Sequence, residues 1–188
     1  MKYKNHLYYH IYNRGAHREN IFYEYVNYRY LESLMMKYSQ QSHVTIAAYC
    51  LMPNHYHIIA KQRPSGSLSS FLKKTFSAFT QAMNKRYGSS GTFFQGQAKI
   101  KEITNDEYCL QVIRYVHLNP VTAKLVTSAD KWEYSNYQEW IGQRGNDLMD
   151  NELRITYFAD AKEYQQFVEE YQMDLRNKKL EKFLFHEE

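Results

Sequence analysis

An α+β fold, an antiparallel sheet with helices on it, is predicted by the order of hydrophobic periods along these 188 residues. Strand-like runs occupy residues 6–13, 44–51, 55–60 and 93–103, and helix-like runs separate and follow them. Pro53-Asn54 makes a turn between the two middle strands and pairs them antiparallel. The order β-α-β-β-α-β is the ferredoxin-like arrangement.

Residues 6–13 (HLYYHIYN) alternate polar with apolar or aromatic side chains, and Arg14-Gly15 ends the run. Over 21–41 the positions Val26, Tyr30, Leu34, Met35 and Tyr38 recur at helical spacing. The run 44–51 (VTIAAYCL) is apolar and β-branched enough for a buried strand. Pro64-Ser65-Gly66 breaks the chain, and Ser67 caps a helix striped by Leu68, Phe71, Leu72, Phe76, Phe79 and Met83. A loop at 88–91 (GSSG) leads into the fourth strand. The third helix begins near Asn105, with Asp106 and Glu107 where the helix dipole favours acids. Its stripe is Cys109, Val112, Ile113 and Val116. Residues 1–130 form the main domain on this reading. Residues 131–188, with Trp132, Trp140 and helices over 160–171 and 175–185, form a C-terminal helical extension.

A hydrophobic fraction of 44% is ordinary for a globular core, and Cys50 and Cys109 make no disulfide framework. With no secretory leader and no membrane-length apolar run, a cytoplasmic protein without a membrane partner is expected. Nineteen tyrosines and ten phenylalanines exceed the usual share; aromatics build cores and also stack on unpaired bases. The net charge of +4 is unevenly spread. Residues 61–103 carry eight bases (Lys61, Arg63, Lys73, Lys74, Lys85, Arg86, Lys99, Lys101) and one acid, Glu102. That stretch suggests a surface that meets phosphates, with a solvated helix face as the alternative.

Two groupings could carry chemistry. In His55-Tyr56-His57 the residues two apart share a strand face, so both imidazoles project together and Tyr56 points away. Such a pair can hold a divalent ion, or can simply be packed histidines. Tyr115 and Asn119 sit one helical turn apart on the flank of the third helix's stripe. An amide oxygen suits a hard cation beside two imidazoles. The competing reading has Tyr115 covering the core edge and Asn119 ending the helix before Pro120. Zinc on Cys50, His55 and His57 is disfavoured, because no second cysteine-rich cluster exists. His117 faces elsewhere on the helix from Tyr115, so no general base is assigned.

The segments Tyr9-His10-Ile11-Tyr12-Asn13-Arg14-Gly15, Leu51-Met52-Pro53-Asn54-His55-Tyr56-His57, Gly91-Thr92-Phe93-Phe94-Gln95 and Arg114-Tyr115-Val116-His117-Leu118-Asn119-Pro120-Val121 occur in that order. Together they resemble the REP-associated tyrosine transposases, single-tyrosine members of the HUH nuclease superfamily, over about residues 3–137. The resemblance implies that His55 and His57, with Asn119, hold Mg²⁺ or Mn²⁺. It also implies that Tyr115 attacks DNA to give a 5′-phosphotyrosine and a free 3′-hydroxyl. The substrate it implies is single-stranded or hairpin DNA from repeat elements, met by a monomer or a homodimer. Arg14, Arg18, Lys73, Lys74, Lys85, Arg86, Lys99 and Lys101 are the candidates for DNA contact. The chain departs from related insertion-sequence transposases in carrying Tyr56 between the histidines and Asn119 where they carry glutamine. Two further function classes stand beside this one: a metal-dependent phosphodiesterase in which water attacks, and a catalytically silent DNA-binding protein.

Overall fold

The computed structural model describes residues 3–145 and 151–176. The elements are β1 (Tyr8–Arg14), α1 (Tyr25–Gln41), β2 (Val44–Met52), β3 (His55–Gln62), α2 (Leu68–Tyr87), β4 (Lys99–Ile103) and α3 (Asp106–Thr122). The C-terminal part adds α4 (Tyr137–Trp140), α5 (Glu152–Tyr157) and α6 (Ala161–Arg176). The strands make one antiparallel sheet in the order β2-β3-β1-β4, the ferredoxin-like topology that the sequence order predicts. The expected helix over 175–185 lies almost wholly outside the described residues.

Alternate strand residues feed two separate cores. Tyr9, Ile11, Tyr49, Leu51, Tyr56 and Ile58 meet Leu31, Leu34 and Met35 of α1 and Phe71, Phe79 and Met83 of α2. On the other face Tyr8, Cys50, Met52, Ile59 and Ile103 meet Cys109, Val112, Ile113 and Val116 of α3. Because both faces are covered, β2 is buried throughout and β1 everywhere but its last residue. The alternation over 6–13 therefore sorts residues between two buried layers, not between core and water.

Two local expectations need correction. The buried face of α1 runs through Asn27, Tyr28, Leu31, Leu34 and Met35, whereas Val26 and Tyr30 are exposed. Asn27 turns inward because its side-chain oxygen accepts the backbone N–H groups of Tyr23 and Glu24, at 2.9 and 3.0 Å, and caps the helix. The fourth strand begins at Lys99 and not at Phe93. Phe93 and Phe94 both pack on Phe79, and consecutive residues of a pleated strand cannot face the same layer. Gly96, with φ +68°, then turns the chain into β4.

The chain after α3 closes the outer edge of β2. Leu51 N–H donates to Tyr134 O at 2.8 Å and Trp132 Nε1 to Leu51 O at 3.1 Å. A register irregularity between Ile46 and Ala48 leaves Ala47 O to accept from Asn136 Nδ2 and Trp140 Nε1, each at 2.9 Å. Trp140, Tyr164 and Val168 complete the core beneath α3. At the opposite edge β4 carries exposed Lys99 and Lys101, charges that discourage strand addition.

Candidate active site

The register of the sheet decides which side chains share the face under α3. Tyr12 lies opposite His57 and Arg14 opposite His55; across the other ladder Lys99 lies opposite Tyr12 and Lys101 opposite His10. Directly opposed residues project from the same face. Both histidines of β3, His10 and Tyr12 of β1 and the two lysines of β4 therefore form one surface. Tyr56, pointing away as expected, stacks on Phe76 with ring centroids 4.5 Å apart.

Helix α3 brings its two candidates onto that surface. The His55 and His57 rings are 5.2 Å apart and nearly perpendicular, and Tyr115 meets His57 edge-on at 5.6 Å. Asn119 Oδ1 lies 3.2 Å from His55 Nε2. The four residues singled out from the sequence thus converge, two from a strand and two from one turn of a helix. Pro120 lies inside α3, so Asn119 is not the helix's last residue.

The donor set fits a hard divalent cation. Asn54 Oδ1 lies 2.7 Å from His55 Nδ1, and Asn54 Nδ2 donates to Arg18 O at 3.4 Å. With the amide so oriented, the network assigns the His55 proton to Nδ1. The Nε2 lone pair then faces the Asn119 amide, whose oxygen would be a ligand beside it when a cation is bound. Among the described residues no group of three or more His, Cys, Asp or Glu forms a metal cage. Metal ligation also requires neutral imidazole. Burial, with His10 and His55 beside it, holds His57 well below its ordinary pKa. Burial and then Lys101 bring His10 down to about 3.

Other candidates fall away on position. Cys50 is fully buried in the core with its Sγ 3.6 Å from Met52 Sδ, and burial pushes its thiol far above the ordinary value. Tyr108, in the first turn of α3 and 43% exposed, is two helical turns from Tyr115. His117 faces the core, where Nδ1 meets the Tyr164 hydroxyl at 2.6 Å and Nε2 meets Asn136 Oδ1 at 3.0 Å. Both its nitrogens are engaged there, which removes it as a base for Tyr115.

The basic residues divide between the two sides of the sheet. Lys99 and Lys101 place their ammonium groups 5.7 and 5.5 Å from the Tyr12 ring centroid, beside the histidines. Arg14 and Arg18 line an open groove with His17, Thr92 and Gln95 at the same end of β1, and Arg14 Nε donates to Gln95 Oε1. Lys73, Lys74, Lys85 and Arg86 are exposed on α2, in the opposite layer. Lys73 lines a groove there with Phe76 and Ile100, and Arg86 pairs with Glu24 at 2.9 Å. The structure does not bring these four to the histidine face.

Sequence reasoning singled out neither His10 nor Asn54. A histidine at an inward position of an apolar strand was the available signal for His10. Only the strand order, which puts β1 beside β3, gives it meaning.

A family model described as "Transposase IS200 like" matches residues 3–119, more than half of the chain. One solved structure, described as a REP-associated tyrosine transposase bound to a REP hairpin, aligns with a TM-score of 0.62 at 18% identity. That alignment covers 80% of this chain and 94% of the other. A structure described as a Deinococcus radiodurans transposase aligns at 0.44 and 17% identity, over 62% of this chain and 95% of that one. No curated protein matches the sequence. No helix among the described residues is long and apolar enough to cross a membrane. The family match spans β1 through α3 and takes in both histidines, Tyr115 and Asn119, and this chain belongs to the IS200-like transposase family.

Proposed function

We propose that this protein nicks and rejoins single-stranded or hairpin DNA through a covalent bond to Tyr115, with Mg²⁺ or Mn²⁺ held by His55, His57 and Asn119. The observation that carries this reading is the convergence of those four side chains on one face of the sheet, with a phenol against a histidine and an amide against its neighbour. The bound cation supplies Lewis-acid polarisation of the scissile phosphate. The Tyr115 hydroxyl loses its proton as its oxygen attacks phosphorus and forms the new P–O bond. The bond to the 3′ oxygen breaks, and that oxygen leaves as a hydroxyl after taking up a proton. The phosphotyrosine ester conserves the bond, so an incoming 3′-hydroxyl reverses the step and joins strands. Lys99, Lys101 and Arg14 flank the histidines and neutralise phosphates of the strand on either side of the cleaved bond. The structural relative described as bound to a REP hairpin supports a folded DNA substrate.

Tyr115→Phe tests the reading directly. A labelled hairpin oligonucleotide with Mn²⁺ is expected to give a denaturation-resistant protein–DNA adduct with the wild type and none with the variant, while binding persists. Cleavage that survives in the variant without an adduct assigns the attack to water. An adduct that persists moves the nucleophile to another tyrosine, with Tyr12, beside His57 on the same face, the first to examine.

A further inference from the structure

We propose that His10 is the positioning residue for His57, accepting its Nδ1–H across the β1–β3 ladder and so leaving Nε2 as the nitrogen that binds the cation. The assignment rests on His57 serving as a ligand.

The geometry is specific. His10 Nε2 lies 2.9 Å from His57 Nδ1, and the two rings stack at 5.1 Å with 24° between their planes. Both are nearly shut off from water, at 4% and 3% exposure, so no solvent replaces a lost contact. Two neutral imidazoles joined nitrogen to nitrogen share a single proton, and whichever ring donates it fixes the tautomer of both. A cation on His57 cannot use Nδ1, because His10 occupies that side. Ligation through Nε2 excludes a proton there, so the proton sits on Nδ1 and His10 accepts it.

The other ligand is held in the same way. His55 Nδ1 meets Asn54 Oδ1 at 2.7 Å. Each imidazole thus has an acceptor behind it, one from the turn before β3 and one from the neighbouring strand. His10 shares the sheet face under α3, and its ring nitrogen is bonded to His57, through which its effect on the cation passes. The position is also dictated by pairing: His10 aligns with Ile59 and its ring leans along the strand to His57, past Tyr12 at 4.9 Å.

Calorimetric titration with Mn²⁺ of wild type, His10→Phe, His10→Gln and His57→Ala tests the proposal. His10→Phe keeps a buried ring and removes the acceptor; loss of such an outer partner weakens metal binding by about 10- to 100-fold. His10→Gln restores an acceptor oxygen and is expected to recover most of the affinity, a rescue that a purely packing role does not produce. Wild-type affinity in His10→Phe, with His57→Ala deficient, overturns the positioning role alone. Wild-type affinity in His57→Ala overturns the ligand assignment beneath it. Should His10→Phe fail to fold, long-range ¹H–¹⁵N spectra of the Mg²⁺-saturated wild type decide. A His57 protonated at Nδ1 supports the proposal, and one protonated at Nε2 refutes it.

Discussion

Asn136→Ala is expected to be the most destabilising single polar truncation in the layer that seats α3, and its cost can be worked from the contacts. Asn136 is 1% exposed. Its Oδ1 accepts the Tyr49 N–H at 2.8 Å and lies 3.0 Å from His117 Nε2, while Nδ2 donates to Ala47 O at 2.9 Å. The two backbone bonds fix the amide's orientation, so His117 carries its proton on Nε2 and accepts the Tyr164 hydroxyl at Nδ1. Alanine leaves the Tyr49 N–H and the His117 Nε2–H without acceptors; Ala47 O keeps its bond from Trp140 Nε1. A buried donor left unpaired costs about 1–3 kcal/mol, so the pair costs about 2–6 kcal/mol. Tyr164→Phe strands only the His117 Nδ1 lone pair and is expected to cost about 1–3 kcal/mol. The double variant should cost less than the sum, because both changes act on His117. Urea unfolding followed by circular dichroism measures all three. The reasoning is refuted if Asn136→Ala loses less than about 0.5 kcal/mol, or if Tyr164→Phe proves the more costly.

Acid should loosen the same layer. Burial, partly offset by the Asn136 bond, holds His117 down to about 4 against an ordinary 6.5. The unfolded chain therefore binds this proton first: the contribution is intact above about 6.5, declines as pH falls to about 4, and is flat below. That gap is worth on the order of 3 kcal/mol, read as the extra loss of wild type over His117→Gln between pH 7 and pH 4.5; equal losses would contradict it. At the metal site, His55→Ala and His57→Ala should each abolish adduct formation and lower Mn²⁺ affinity, with Asn119→Ala giving a smaller loss; unchanged calorimetric Mn²⁺ binding in both histidine variants removes the ligand assignment. For the DNA path, Lys99→Glu with Lys101→Glu should weaken hairpin binding and lower the salt slope of log affinity by roughly 0.7–0.9 per lost phosphate contact. Lys73→Glu with Lys74→Glu, on the far layer, should change it less, and the reverse ranking would route the strand over α2.

The sequence by itself determined the element order, because hydrophobic period is a local property. Four strands and the three main helices were legible, as was the pairing of the middle strands across Pro53-Asn54. His55 with His57, and Tyr115 with Asn119, were legible as pairs for the same reason: spacing of two on a strand, or four on a helix, sets the side-chain direction without any knowledge of the rest. Where local patterns failed, a non-local contact had outweighed them. Two consecutive phenylalanines, Phe93 and Phe94, satisfied the α2 layer and gave up the strand that their composition suggests. Asn27 took an inward position on α1 because a cap needed its oxygen.

Tertiary structure alone decided that the two pairs meet. Nothing local states that α3 lies over β3 and that α2 lies beneath it, so a basic stretch continuous in sequence is split between opposite layers. Strand order had the same effect on His10. In the chain it is 47 residues from His57; in the sheet it is 2.9 Å away. The physical reason is that a sheet's neighbours are chosen by burying both faces at once. That choice depends on the summed apolar surface of α1, α2, α3 and the C-terminal segment, which no single stretch of sequence contains.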